Sequence, residues 1–164
     1  MKLYETILVA TEFSPISDAA FGEALRLAQS TGAALRVIHV YDGPTVPVSP
    51  FGPPELYQAA ESAGRASILE RLEHLVSRAR RVGVEAAAIL RDGFVSDEIL
   101  DAARDEKADL IVMGTHGHHG FPRIVLGSVA ARVVARAPCP VLTIRTRERQ
   151  ALAERPEGRA AARM

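Results

Sequence analysis

Four residues near the end of the chain have the types and spacing needed to hold a phosphate group. Gly114 and Gly117 are two residues apart, and Gly127-Ser128 follows after nine more. Glycine lacks a Cβ atom, so its backbone N–H group can approach a phosphate oxygen closely. Ser128 opens an amphipathic segment, and the positive end of a helix attracts an anion. The spacing therefore predicts a phosphate-binding turn between a strand and a helix.

The loop between these glycines adds polar side chains. His118 follows the second glycine and could donate a hydrogen bond to phosphate, while Arg123 brings a fixed positive charge. His116, His118 and His119 also allow a metal interpretation, because three imidazoles within four residues could bind zinc or nickel. No carboxylate or cysteine lies in the loop to complete a metal shell. We therefore predict a phosphate-facing loop and no metal site.

Short apolar runs alternate with helical patterns along the chain, which predicts a parallel sheet with helices on both faces. Ser14-Pro15 is typical of a helix start, and Ser96 is predicted to cap a later helix. An apolar stripe within 55–81 and a shorter one that includes Val133 and Val134 predict two further helices. The predicted strands cover residues 6–10, 35–40, 84–90, 110–113 and 141–144.

Length and charge limit the possible functions. The chain has 164 residues, with 20 basic and 20 acidic side chains, so a large nonspecific nucleic-acid surface is not expected. No apolar run approaches the roughly 20 residues that span a membrane, and a single cysteine favours a cytoplasmic location. Residues 1–146 are predicted to form one domain. Residues 147–164, in which arginine and glutamate alternate, are predicted to be a tail without fixed structure.

The spaced glycines belong to a longer resemblance. G-x2-G-x9-G-[S/T] is the signature of the nucleotide-binding branch of the universal stress protein family, and residues 4–145 resemble that family. The same resemblance is seen in TILVATEFSP at the start, HVYD at 39–42 and LGSVAARVVARAPCPVLTIR near the end. It implies a three-layer, Rossmann-like α/β/α fold with strand order 3-2-1-4-5. It also implies a homodimer in which the last strand, Val141 to Ile144, pairs with its copy.

The resemblance further implies an ATP site. Adenine is expected near Ala10 and Val40, and the Glu12 carboxylate near the ribose or a Mg²⁺ ion. Two positions depart from the family pattern, because Glu12 stands where aspartate is usual and His118 where arginine is common. The full set of candidate nucleotide-binding residues is Ala10, Thr11, Glu12, Val40, Met113, Gly114, Thr115, His116, Gly117, His118, Arg123, Gly127, Ser128 and Val129.

Three functions fit these observations. The first is an ATP-binding regulatory homodimer whose conformation or choice of protein partner responds to the nucleotide. The second is a slow ATPase, for which the sequence offers no Walker lysine and no evident catalytic base. The third is a nucleotide-free protein of the same fold, against which the complete glycine motif argues. The first is our preferred interpretation, with no nucleic-acid or membrane partner.

Overall fold

Five strands and four helices alternate along the chain. The computed structural model describes residues 3–43, 53–115 and 126–145. Among the described residues, no helix is both long enough and apolar enough to cross a membrane. The elements are β1 (Thr6–Ala10), α1 (Pro15–Thr31), β2 (Ala34–Tyr41), α2 (Pro54–Arg81), β3 (Ala86–Asp92), α3 (Val95–Asp105), β4 (Leu110–Gly114), α4 (Ser128–Arg136) and β5 (Val141–Ile144).

The strands form one parallel sheet in the order β3-β2-β1-β4-β5, which confirms the expected topology. The chain moves outward from β1 through β2 to β3, then returns to the other side of β1 to form β4. Strand order therefore reverses between β1 and β4. In open α/β sheets, ligands bind beyond the carboxyl ends of the strands at such a reversal. The topology thus defines the edge at which a site is expected.

Two apolar cores lie on opposite faces of the sheet, as the nearly continuous apolar strands predict. Ile7 and Val9 of β1 point to the face covered by α1 and α2, where Phe21 is completely buried. Leu8 and Ala10 point to the face covered by α3 and α4. The central strands are therefore buried on both sides, which fixes the positions at which they end.

Helix α1 begins where the sequence predicts. The Ser14 hydroxyl accepts a hydrogen bond from the Ser17 N–H, and the Ser17 hydroxyl lies 2.9 Å from the Ser14 N–H, so each side chain caps the other's backbone. Gly32 ends the helix with a φ of 72°, a left-handed conformation that glycine adopts without steric cost.

Two predicted boundaries are wrong. Strand β3 runs to Asp92 and does not include Val84, because the Val84 N–H donates to the Ala79 carbonyl in the turn that leaves α2. Ser96 does not cap α3. Phe94 is the N-cap residue, and its carbonyl accepts the first helical hydrogen bonds from Asp97 and Glu98. The helix has begun before Ser96, which lies buried in its first turn.

The predicted apolar stripes of two helices include residues that the core does not cover. Val134 is 48% exposed although the adjacent Val133 is fully buried. Leu69 of α2 is 46% exposed, whereas Leu72 is fully buried. Neighbouring helix positions differ by about 100° in direction, so one of two consecutive valines must turn away from the sheet.

Candidate functional site

The carboxyl ends of three neighbouring strands form the floor of the candidate site. Ala10 is the last residue of β1, Val40 lies near the end of β2, and Met113 lies near the end of β4. All three are at least nine-tenths buried and belong to the same apolar cluster, against which Val129 of α4 packs. Four of the predicted site residues are therefore brought together by the sheet and by one helix.

The start of α4 lies directly beside the end of β4. The Gly127 N–H donates to the Thr115 carbonyl at 2.8 Å, and the Thr115 N–H donates to the Ile144 carbonyl at 3.0 Å. Thr115, which directly follows Gly114, and Gly127 are 12 positions apart in the chain and are thus joined by one hydrogen bond. This contact holds the N-terminus of α4 at the point where the sheet reverses.

Helix α4 begins without a side-chain cap. Its N-cap is Gly127, and no side chain there accepts a hydrogen bond from the first turn. The first N–H groups of a helix have no intrahelical acceptor, and the helix dipole adds positive potential around them. The N–H groups of Ser128, Val129 and Ala130 lie in this turn and suit an anion such as a phosphate.

Glu12 lies in the turn that follows β1. Its carboxylate accepts a hydrogen bond from the Ser14 hydroxyl, so Ser14 both caps α1 and holds the acid. This contact holds the negative charge at the N-terminus of α1, in the turn that leaves the carboxyl end of β1.

Thr11 has a role that the sequence did not predict. Its hydroxyl donates to the Ser17 hydroxyl at 3.1 Å and accepts from the Phe13 N–H at 3.0 Å, on the α1 side of the sheet. Its backbone N–H donates to the Ile38 carbonyl. Thr11 is only 5% exposed, and its side chain stabilises the turn that leaves β1.

Phe13 has an unusual backbone conformation. Its φ is 61°, in the left-handed region where a bulky residue is a genuine outlier. Such a conformation costs about 1–3 kcal/mol and persists only where the surroundings hold it. The restraint is visible here, because two side chains contact the Phe13 ring. The His39 ring stacks on it at a centroid distance of 4.8 Å, and the Arg71 guanidinium lies 4.0 Å from its centroid.

Sequence reasoning missed Phe13, His39 and Arg71. His39 is detectable in principle, because it is a polar residue in a largely apolar part of β2. Side chains at every second position of that strand, His39 included, point to the α1/α2 face. Arg71 has no such signal. It lies on α2, 58 positions from Phe13, and only the packing of that helix against the sheet brings the two together.

His39 is held in its neutral form. Its Nδ1 atom lies 2.8 Å from the Thr11 carbonyl oxygen, which can only accept, so Nδ1 carries the proton. Burial lowers the pKa of His39 below 6.5, and the hydrogen bond to Thr11 and the charge of Asp42 oppose this only in part. Because the folded-state pKa is depressed, the stability that His39 contributes is complete above the unfolded-state pKa and is lost as pH falls through the folded value.

We therefore expect His39 to make the protein more sensitive to acid below about pH 6.5. The free energy of unfolding should fall more steeply with decreasing pH in the wild type than in His39→Gln. Urea denaturation at several values between about pH 7.5 and 5 measures both slopes. His74→Gln is the matched control, because His74 is exposed on α2. Equal slopes for wild type and His39→Gln would contradict the prediction.

Several predicted residues lie outside the described part of the chain. His116, Gly117, His118 and Arg123 fall within residues 116–125, so the structure does not test their predicted contact with phosphate. The metal interpretation of the three histidines is untested for the same reason. The predicted tail, 147–164, is also outside the described residues.

Cys139 precedes β5 and packs against the core on the α3/α4 face. Burial raises the pKa of its thiol, with a smaller contribution from the charge of Asp109. A raised pKa keeps the sulfur protonated and poorly nucleophilic. Cys139 therefore contributes to packing.

A concave region lies at the opposite edge of the sheet. It has a volume of about 410 Å³ and is lined by residues that include Gly32 and Gly83, at the C-terminal ends of α1 and α2, together with Glu5 and Glu85. Helix C-termini carry negative potential, and the two glutamates add to it. This groove would repel a phosphate, so the carboxyl edge of the sheet is the better anion site.

The fold and the site define a doubly wound α/β protein with an uncapped helix start at the reversal of strand order. The family model described as the universal stress protein family matches residues 3–145. The chain therefore belongs to the universal stress protein family. A universal stress protein of Methanocaldococcus jannaschii is 36% identical over 147 residues, which cover 88% of this chain and 84% of that protein.

Three similar solved structures contain an adenine nucleotide. A universal stress protein in complex with cAMP is 29% identical, covering 88% of this chain and 99% of its own, with a TM-score of 0.66. One from Archaeoglobus fulgidus in complex with dAMP is 27% identical, covering 87% and 99%, with a TM-score of 0.60. One from Arabidopsis thaliana with AMP bound is 26% identical, covering 85% and 90%, with a TM-score of 0.61. These matches confirm the Rossmann-like fold.

Proposed function

We propose that this protein binds adenine nucleotides, ATP among them, at the carboxyl edge of the sheet. The observation that carries the proposal is the position of the α4 N-terminus. The hydrogen bond from Gly127 to Thr115 holds it beside the end of β4, and the glycine N-cap has no side chain to accept a hydrogen bond from the first turn. The nucleotides bound in three related structures support the same class of ligand.

The described residues offer separate contacts for three parts of the ligand. Ala10, Val40 and Met113 offer an apolar floor for the base. Glu12, in the turn that follows β1, offers a hydrogen-bond acceptor for a ribose hydroxyl. The first-turn N–H groups of Ser128 and Val129 offer donors for a phosphate. A Mg²⁺ ion bound with ATP would be held mainly by the phosphates, since Mg²⁺ usually binds through substrate phosphates and few carboxylates.

Calorimetric titration with ATP, AMP and cAMP tests the proposal. We expect a dissociation constant in the micromolar range, about 8 kcal/mol of binding free energy, for at least one of them. No heat of binding at millimolar nucleotide would overturn it. Turnover with Mg²⁺, measured as phosphate release, then separates a regulatory binder from the alternative, a slow ATPase. Turnover that Glu12→Gln abolishes while binding persists would favour the enzyme.

We further propose that the protein acts as a homodimer and that β5 forms the interface. Strand β5 pairs with β4 on one side only, so it is an edge of the sheet. Its four residues, Val141–Ile144, are each partly exposed and largely apolar. An exposed apolar edge tends to pair with another strand, and a two-fold dimer hides it. Because β5 also contacts Thr115, such a dimer would place two nucleotide sites close to one interface.

The proposed biological role is a nucleotide-dependent switch in the response to stress. The dimer would present different surfaces to a regulatory protein partner according to the nucleotide that it holds. A cytoplasmic location stays a prediction from the sequence. Differential capture of proteins from a lysate by the ATP-loaded and nucleotide-free dimers would test the switch, and identical sets of captured proteins would count against it.

A further inference from the structure

We propose that Arg71 and His39 are positioning residues for the ribose of the bound nucleotide. They hold Phe13 in its left-handed conformation, and Phe13 in turn fixes the direction of the neighbouring Glu12 carboxylate. The inference rests on the proposed nucleotide site. It assigns part of the affinity for the nucleotide to helix α2, which provides none of the proposed floor or phosphate contacts.

The contacts on Phe13 come from two different elements. Arg71 of α2 places its guanidinium over one face of the ring, and His39 of β2 stacks on the ring at an interplanar angle of 30°. A terminal nitrogen of Arg71 also lies 3.5 Å from the Phe13 carbonyl oxygen, in position to donate a long hydrogen bond. Both the ring and the backbone of Phe13 are therefore restrained by groups outside its own turn.

This restraint is needed because of the backbone conformation. A phenylalanine with a φ of 61° would relax toward negative φ if its side chain were free. Such a rotation turns the peptide that joins Glu12 to Phe13. The Phe13 N–H, which now donates to the Thr11 hydroxyl, would move with it. The Arg71 and His39 contacts thus oppose a rotation that would redirect Glu12.

Glu12 is held from its other side by Ser14. The Ser14 hydroxyl donates to the Glu12 carboxylate while its oxygen accepts from the Ser17 N–H at 3.2 Å. Ser14 is anchored in α1 and is 4% exposed. The acid is consequently fixed between α1, through Ser14, and α2, through Phe13. A preorganised acceptor of this kind binds a ribose hydroxyl without a further cost in side-chain ordering.

Helix α2 offers a matched control for the argument. Arg78, seven positions after Arg71, also lies over a phenylalanine ring, with its guanidinium 5.0 Å from the centroid of Phe21. Phe21 lies inside α1 and is fully buried, away from the Glu12 turn. Arg71→Ala and Arg78→Ala therefore remove the same charge and the same kind of contact from the same helix, but only the first loosens the turn.

Calorimetric titration of the full chain with AMP gives the primary result. We expect Arg71→Ala to weaken AMP binding about fivefold, the scale of one poorly placed hydrogen bond, and Arg78→Ala to change it less than about twofold. Phe13→Gly should match Arg71→Ala, because glycine tolerates the positive φ and keeps the domain folded while removing the ring that α2 holds. Equal effects of Arg71→Ala and Arg78→Ala would overturn the inference.

Ligand variants separate positioning from a direct effect of the charge. If the effect passes through the ribose, Arg71→Ala should weaken the binding of adenosine, which has no phosphate, by the same factor as the binding of AMP. It should not weaken the binding of 2′,3′-dideoxy-AMP, which has no ribose hydroxyl. In a Glu12→Gln background, Arg71→Ala should add little further loss, because the two residues act as one unit. A loss that is confined to phosphorylated ligands, or that is additive with Glu12→Gln, would overturn the inference.

The same measurements keep this inference distinct from the proposed function. If the wild type binds no adenine nucleotide, the proposed function fails. If the wild type binds AMP and both Arg71→Ala and Phe13→Gly bind it equally well, the nucleotide site stands and only the positioning role of α2 is overturned. Urea denaturation of each variant confirms that the compared proteins are folded.

Discussion

Replacement of Gly127 by valine is expected to abolish nucleotide binding while the domain remains folded. An N-cap side chain lies over the N–H groups of the second and third helical residues, which is why serine and aspartate cap helices so well. Valine would place two methyl groups over the donors that we assign to phosphate. The φ of Gly127 is −57°, which any residue adopts, so the substitution brings little backbone strain. We expect ATP affinity to fall by more than about a hundredfold in calorimetric titration.

Gly127→Ser gives a sharper control, because stability and binding should move in opposite directions. A serine at an N-cap position satisfies a first-turn N–H group itself and stabilises a helix by a few tenths of a kcal/mol relative to glycine. The free energy of unfolding should therefore rise slightly, while the serine hydroxyl competes with phosphate and affinity falls. If Gly127 were only a structural cap, Gly127→Ser would leave nucleotide affinity unchanged.

The sheet and the position of the α4 N-terminus beside β4 were predictable from the sequence for a specific physical reason. The buried strands are continuous apolar runs, and the order of strand and helix patterns admits few topologies. Gly114 and Gly127 follow and precede such patterns directly, so their neighbourhood in space follows from the topology. The strand order itself came from the resemblance to a known family, since alternating elements alone do not select among doubly wound sheets.

The proposed ribose side was only half predictable, because one of its contacts gives no separate signal in the sequence and the other depends on tertiary packing. The sequence places Glu12 at the end of β1, but for its partner Ser14 it indicates only a helix cap. A hydroxyl that serves as a cap and also binds a carboxylate gives no separate signal in the sequence. The contact of Arg71 with Phe13 depends on the angle at which α2 crosses the sheet. That angle results from the packing of Leu72, Val76 and their neighbours as a whole.

Substitutions in β5 are expected to have the second large effect, because the backbone groups that face β4 can be distinguished from those that face outward. The Pro140 carbonyl accepts from Ile111, and the Ile144 carbonyl accepts from Thr115, so both point toward β4. Backbone groups alternate in direction along a parallel strand, so Leu142 also points toward β4, whereas Val141 and Thr143 point outward. Only the outward groups are available to a second copy of the chain.

Thr143→Pro should therefore break the proposed dimer without unfolding the monomer. Proline removes the outward N–H, and edge strands tolerate it where that group faces away from the sheet. A two-fold interface loses the hydrogen bond twice, about 2 kcal/mol in total, so the dimer dissociation constant should rise about thirtyfold. Sedimentation equilibrium across a concentration series measures the change. Thr143→Val keeps the N–H and should remain dimeric.

Leu142→Pro completes the test, because it removes an N–H that points toward β4. It should lower the stability of the fold itself, since the ladder between β4 and β5 loses a hydrogen bond and a buried carbonyl loses its donor. The two prolines, one position apart, should thus separate assembly from folding. If Thr143→Pro leaves the dimer intact while Leu142→Pro unfolds the domain, the chain dimerises through a surface other than β5. The nucleotide site would then lie within each protomer, because the contact between β5 and Thr115 would no longer connect the site to the dimer interface.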